Sequence, residues 1–129
     1  MTTVPVAAVP RLREALHSQL GNVAEELSEI VVSPERALDD WSEPVERFDG
    51  VRAVLDVIGW NDRTRECDTE IDLDQHREVI VEALRDELDL EHYLMSEKGR
   101  AAKRQRQKAR ARARTIEAWA ESAGLKLDE

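Results

Sequence analysis

The chain has 129 residues, a length that suits one domain and leaves too little room for two. Its apolar residues, 41% of the chain, are mostly aliphatic, and five Gly and four Pro are too few for the many turns of an all-β fold. A single cysteine excludes an internal disulfide and fits a reducing compartment. We therefore predict an all-α bundle of three to four helices that ends in a long, Ala/Arg-rich helix.

The first ten residues have neither the basic cluster nor the apolar run of a signal peptide. No stretch approaches the roughly 18 apolar residues that a membrane-spanning helix requires. We therefore predict a cytoplasmic protein with no membrane partner.

The first half of the chain contains patterns for two or three helices. Apolar residues recur at steps of three and four from Leu12 to Ile30, which predicts a helix that begins after Pro10 and ends near Val32. A second helix is predicted to begin at Ser33-Pro34, and Pro44 either bends it or starts a new one that Ser42 caps. Gly59 is predicted to end this helix, and Trp60 to fold back on its last turn.

The second half begins with a polar loop that runs from 61 to 70. Carboxylates alternate in this region but lack the glycine and glutamate spacing of an EF-hand, so we interpret it as a linker. Asp72, followed three residues later by Gln75, is a capping pattern that predicts the start of a third helix. His76 lies on the apolar stripe of this helix and is predicted to be partly buried.

The course of the chain at Gly99 decides the architecture. A seven-residue step continues through this glycine and favours one unbroken helix to about Ala123, with Gly124 as its stop. The residues of this heptad series are Val81, Leu88, Met95, Ala102, Ala109, Ile116 and Ala123. A break near Gly99 would instead give an antiparallel hairpin that places the basic segment beside Asp74, Glu78, Glu82 and Asp86.

Charge is strongly segregated along the chain. Nine of the nineteen basic residues lie between Lys98 and Arg114, a window without Asp or Glu, although the whole chain has a net charge of −9. We therefore divide the domain into an acidic helical body (1–97), a basic helical arm (98–123) and a short tail (124–129). Candidate residues for binding a nucleic acid or an acidic partner are Lys103, Arg104, Arg106, Lys108, Arg110, Arg112 and Arg114. The alternative is that the acidic body neutralises the arm internally.

Metal and catalytic chemistry have little support in the sequence. Glu14 and His17, like Asp89 and His92, are spaced one helical turn apart as in di-iron bundles, but such pairs arise often by chance among 28 acidic residues. Cys67 has no recognisable catalytic partner, and no nucleophile-elbow, P-loop or dinucleotide-binding motif occurs. We predict no metal, no cofactor and no enzymatic activity.

The function that these features favour is a non-enzymatic protein-interaction or regulatory role. The heptad series suggests coiled-coil-like pairing with a protein partner or with a second copy of the chain. The candidate interface residues are Met95, Ala102, Ala109, Ile116 and Trp119. The alternative function is a nucleic-acid-associated regulator that binds the phosphate backbone through the basic helix 98–114.

Overall fold

The computed structural model describes residues 1–32, 41–61, 67–96 and 103–127. In chain order these form β1 (Thr2–Val4), α1 (Val9–Val32), α2 (Ser42–Ile58), β2 (Thr69–Ile71), α3 (Leu73–Met95) and α4 (Lys103–Ala123). The four helices pack against one another, which confirms the predicted all-α bundle. No helix within the described residues is long and apolar enough to cross a membrane.

Local signals in the sequence set several of the helix ends. The Asp72 carboxylate accepts hydrogen bonds from the backbone N–H groups of Asp74 and Gln75, so the predicted cap of α3 is confirmed. Gly124 ends α4 with φ 73°, and the N–H of Leu125 donates to the carbonyl of Ala120 at 2.8 Å, as in a Schellman motif.

The start of α2 differs in detail from the prediction. The helix includes Ser42 as its first residue, and the preceding Trp41 makes no side-chain capping bond. The predicted helix start at Ser33-Pro34 lies outside the described residues. At the other end, Gly59 adopts φ 93°, which confirms it as the stop of this helix.

Helices α1 and α2 form an antiparallel pair held by buried and half-buried arginines. Arg13 is buried on α1 and donates to the carbonyls of Ile58 and Gly59, the end of α2. Near the opposite end, Arg47 of α2 pairs with Glu26 of α1. These contacts place the start of α1 against the end of α2.

The predicted unbroken helix from residue 73 to residue 123 is wrong. Helix α3 ends at Met95, and Ser96 is extended, with φ −76° and ψ 150°. A continuous helix would separate Glu91 and Arg112 by about 31 Å, yet their side chains are hydrogen-bonded at 2.7 and 2.9 Å. Helix α4 therefore packs back on α3 in an antiparallel arrangement, and residues 97–102 lie outside the described residues.

The hairpin has a different register from the one that the sequence suggested. The basic half of α4 lies beside the last turns of α3, and not beside Asp74, Glu78, Glu82 and Asp86. Asp86 instead accepts a hydrogen bond from Gln19 of α1 at 2.7 Å. In place of contacts with these four carboxylates, Arg112 of α4 forms an ion pair with Glu91 of α3.

One hydrophobic core joins all four helices. Leu12 and Leu16 of α1, Leu55 of α2 and Leu84 of α3 are almost fully buried, and α4 adds Ile116. This burial supplies most of the driving force for the packing, at about 25 cal/mol per Å² of apolar surface. The basic arm is thus packed on the acidic body through an apolar face.

A two-stranded ribbon, absent from the prediction, closes one part of the bundle. β1 and β2 are antiparallel, with Val4 opposite Thr69 and Thr2 opposite Ile71. The indole N–H of Trp119 donates to the carbonyl of Thr3 at 3.1 Å, which ties α4 to this ribbon. The region interpreted as a linker therefore ends in a strand, while its residues 62–66 lie outside the described residues.

Candidate interaction surface

The basic residues of α4 remain largely solvent-accessible. Within the described parts of the chain, Arg112 is the one basic residue of α4 that forms an ion pair with a carboxylate. Six others form none there, and all are exposed except Arg106, which is half-buried: Lys103, Arg104, Arg106, Lys108, Arg110 and Arg114. The described part of the body therefore neutralises little of the charge on this helix.

The exception, Arg112, is held at the packed edge of the hairpin. Its guanidinium binds both carboxylate oxygens of Glu91, a side chain that is only 2% exposed. This hydrogen bonding to Glu91 raises the pKa of Arg112. Because it is bidentate and partly buried, the pair fixes α4 on α3 and is not free for a partner.

Four of the free cations form one row along α4, which we call the basic stripe. Its members follow one another at steps of three and four: Lys103, Arg106, Arg110 and Arg114. The stripe is about 16 Å long at 1.5 Å per residue. It occupies the N-terminal half of α4, where the helix macrodipole is also positive, so both sources of potential attract an anion.

The same row changes sign in the C-terminal half of α4. The steps continue to Glu117 and Glu121, which are both exposed. Acidic residues near a helix C-terminus and basic residues near its N-terminus both oppose the macrodipole, so this arrangement does not stabilise the helix. The surface therefore has an ordered pattern of positive and then negative charge.

A groove lies beside the acidic end of the row, and we call it the α3–α4 groove. It has a volume of about 590 Å³ and lies between the two helices and the segment after Gly124. His92 and Glu117 form an ion pair at 3.5 Å on its edge when the histidine is protonated. The residues that line the groove are Leu88, Asp89, His92, Glu117, Ala120, Glu121, Leu125, Lys126 and Leu127.

Three of the five predicted interface residues are buried in the fold and are not available to a partner. Ala109, Ile116 and Trp119 are at most 5% exposed, because the fold-back of α4 uses them in contacts within the chain. Met95 is half-buried at the end of α3. Ala102 lies outside the described residues. The apolar face of α4 is therefore core, and the basic stripe lies on the part of this helix that remains accessible to solvent.

A second buried carboxylate lies one turn before Glu91 on α3. Glu87 is 5% exposed, and the Ser18 hydroxyl donates a hydrogen bond to its carboxylate at 3.4 Å. Burial raises the pKa of Glu87 above its ordinary value of 4.5, and the nearby carboxylates of Glu14 and Glu91 raise it further. The hydrogen bond from Ser18 and the charge of Arg11 on α1 oppose this shift, and Arg112 on α4 is a further cation that interacts with the group.

We expect Glu87→Gln to stabilise the protein near pH 7. A raised pKa in the folded state means that folding favours the protonated form, so the ionised carboxylate reduces stability above the folded-state pKa. This penalty shrinks as the pH falls towards 4.5. Urea unfolding should therefore show a larger gain for the variant at about pH 7 than at about pH 4.5. Glu78→Gln, at an exposed position on the same helix, should show no such difference; an unchanged or lower midpoint for Glu87→Gln at both pH values would contradict the prediction.

Among the described residues, the histidines are not grouped with two or more other potential metal ligands. The ring Nε2 of His17 lies 2.7 Å from the carbonyl of Trp60, and this indole in turn donates to Asp56. His76 is 8% exposed, in line with the predicted burial. Across residues 1–32, 41–61, 67–96 and 103–127, no group of three or more His, Cys, Asp or Glu side chains is placed to hold a metal ion.

Comparison with known proteins gives no relative. No known family model matches the chain, and neither the curated proteins nor the solved structures contain a significant match. Any functional proposal for this protein therefore depends on its own residues.

The basic stripe and the α3–α4 groove are the features that sequence reasoning partly missed. The sequence identifies the basic residues of the stripe, but which of them are exposed depends on which face of α4 packs on α3. The groove combines residues separated by about 30 positions in the chain, so no local pattern indicates it.

Proposed function

We propose that this protein is a non-enzymatic interaction protein that binds a negatively charged surface of a protein partner through the basic stripe. The observation that carries the proposal is the row of four basic side chains on the solvent side of α4, without an ion pair among the described residues. Charged residues that gain nothing from their own fold are suited to complement a partner.

The change of sign along α4 favours a protein over a nucleic acid. A duplex carries a negative charge about every 1.7 Å and extends well beyond the 16 Å of the stripe. It would therefore meet Glu117 and Glu121 on the same face. A compact acidic patch on a protein can match the stripe and avoid these carboxylates. The residues outside 103–114, with a net charge of −16, also repel a long polyanion.

The second candidate is a nucleic-acid-associated regulator, favoured by the regular spacing of the stripe. Steps of three and four residues place successive cations about 5–6 Å apart along the helix, a spacing that lets several contact one phosphate backbone. The stripe contains no aromatic residue, so stacking on single-stranded bases has no support.

Fluorescence anisotropy with two labelled probes tests both candidates. The probes are a polyglutamate peptide of about five residues, whose extended length of about 17 Å matches the stripe, and a DNA duplex of about 16 base pairs, titrated at several salt concentrations. We expect the peptide to bind, and Arg110→Glu to weaken that binding about tenfold at about 50 mM salt, because the change removes a cation and adds a repelling carboxylate.

The matched control is Arg77→Glu, which makes the same charge change at an exposed position on α3. It should alter the affinity for the peptide by less than about twofold, since Arg77 lies about 21 Å along α3 from Glu91, the residue that binds Arg112. Tight duplex binding with a steep salt dependence, and little peptide binding, would favour the second candidate. If neither probe binds, or if both variants weaken binding equally, the proposal fails.

A further inference from the structure

The first turns of α4 concentrate like charge in a short length of helix. We define the leading turns as residues 103–110, of which five are basic and none is acidic. Side chains three or four positions apart are neighbours on a helix, and like charges at these spacings are destabilising. Three such pairs of cations occur in the leading turns: Lys103 with Arg106, Arg104 with Lys108, and Arg106 with Arg110. The leading turns are therefore destabilised by their own side chains.

The rest of the fold offers the leading turns little compensation. Ala109 is their only buried residue, and Arg106 is their only half-buried one. An alanine side chain removes little apolar surface from water, so it contributes little to the packing. The following half of α4, by contrast, buries Ile116 and Trp119, and Trp119 is also hydrogen-bonded to β1. The two halves of α4 are thus held to the body to very different degrees.

The ion pair of Arg112 with Glu91 marks the boundary between the two halves. Its hydrogen bonds, at 2.7 and 2.9 Å, attach α4 to a carboxylate that is only 2% exposed on α3. The leading turns all precede this attachment, so the backbone hydrogen bonds among them can open while the ion pair and the core stay intact. Segments with few buried contacts and exposed backbone hydrogen bonds are those that open locally in native proteins.

We propose that the leading turns form an anion-gated element, which opens apart from the rest of the fold because of its own charge and closes when carboxylates of the acidic partner occupy the basic stripe. This inference rests on the proposed function and adds its regulation. Three of the four stripe cations, Lys103, Arg106 and Arg110, lie in the leading turns. They form a row only while the segment is helical, so a row of carboxylates binds the closed form more tightly than the open one. A ligand shifts such an equilibrium towards the state that it binds better.

Amide hydrogen exchange, measured residue by residue by NMR, tests the inference. The amides of residues 107–110 are the suitable ones, because a helix leaves its first four N–H groups without carbonyl partners. In the free protein their protection factors should be at least about tenfold lower than those of residues 116–120, in the well-packed half of α4. Pentaglutamate at about ten times its dissociation constant should slow exchange at 107–110 by about tenfold, since opening must release the peptide.

The variant Arg104→Glu separates self-repulsion from the stripe, because Arg104 is exposed and is not a member of the stripe. The change replaces the repulsion from Lys108 by an attraction and places an acidic residue near the helix N-terminus. Without any peptide, exchange at 107–110 should become about threefold slower. The matched control, Arg77→Glu, makes the same charge change at an exposed position on α3 and should leave exchange in α4 unchanged.

The side-chain amide of Gln107 provides an internal reference for these rates. It is exposed on the same turns, so its exchange reports how each change alters the local potential and the local concentration of hydroxide. Division of the backbone rates by this rate isolates the effect on opening.

Three outcomes would overturn the inference: equal protection at 107–110 and 116–120 in the free protein, unchanged exchange at 107–110 with peptide bound, or an Arg104→Glu variant that exchanges as fast as the unmodified protein. Fluorescence anisotropy distinguishes this failure from failure of the proposed function. Bound peptide with unchanged exchange removes the gating and leaves the proposed function intact. Absence of peptide binding removes the proposed function and the closure by carboxylates together.

Discussion

Replacement of Arg112 by methionine should lower the free energy of unfolding by about 3 kcal/mol. The change leaves the Glu91 carboxylate, which is only 2% exposed, without the cation that satisfies both of its oxygens. Removal of one partner of a buried ion pair typically costs 3–5 kcal/mol, and the 29% exposure of Arg112 places the expected value at about the lower limit. Urea unfolding monitored by circular dichroism measures the effect.

A matched variant and a double variant separate the ion pair from a general loss of charge. Arg110→Met, two residues earlier and exposed, should change stability by less than about 0.5 kcal/mol. Glu91→Leu combined with Arg112→Met should recover much of the loss, because the pair is replaced by apolar groups and no carboxylate is left buried alone. Equal effects of Arg112→Met and Arg110→Met would show that the contact with Glu91 contributes nothing to stability.

Replacement of Trp119 by alanine should be at least as damaging, at about 3–5 kcal/mol. The indole is 5% exposed in the core, and its N–H reaches the carbonyl of Thr3 in β1. Trp119→Phe retains much of the apolar volume but loses this hydrogen bond, so a smaller loss of about 1–2 kcal/mol is expected. Thermal or urea unfolding of the two variants tests this order.

This prediction also decides between two roles for the tryptophan. The sequence pattern allowed Trp119 to be an exposed anchor for a partner, and such a residue can be truncated with little effect on folding. Trp60, which is 39% exposed, provides the comparison, and Trp60→Ala should cost about 1 kcal/mol or less. A stability loss for Trp119→Ala no greater than that for Trp60→Ala would contradict its placement in the core.

Local features of the fold were predictable because their causes lie within a few residues. Asp72 caps α3 through N–H groups two and three positions away, and Gly124 ends α4 because it accepts a positive φ. The stripe of aliphatic residues from Leu12 to Ile30 similarly identifies α1 without knowledge of its neighbours.

The break between α3 and α4 was not predictable from the same kind of signal. A heptad series through Leu88 and Ile116 fits one long helix and equally fits two helices that pack on each other. The contacts that distinguish them join residues far apart in sequence, above all Glu91 with Arg112 and Trp119 with Thr3. The low helix propensity of Gly99 does not decide between one helix and two, since a glycine inside a helix costs only about 1 kcal/mol.

The ribbon and the candidate surface were missed for related reasons. Strands of three residues, Thr2–Val4 and Thr69–Ile71, are too short to show alternation, and only their β-branched residues hint at them. The solvent face of the basic stripe could be assigned only after the packed face of α4 was known. Charge alone therefore identified the segment, and the fold identified which cations are available.

The separation of charge in the folded protein also affects how it approaches other molecules. Residues 103–114 carry +7 and the rest of the chain −16. Such a molecule experiences a torque in the field of any charged neighbour and turns before contact is made. Encounters with an acidic partner are then productive more often than randomly oriented collisions would be, while the net charge of −9 opposes the partner's approach. At physiological salt, where screening acts over about 8 Å, this pre-alignment is confined to the last moments of the encounter.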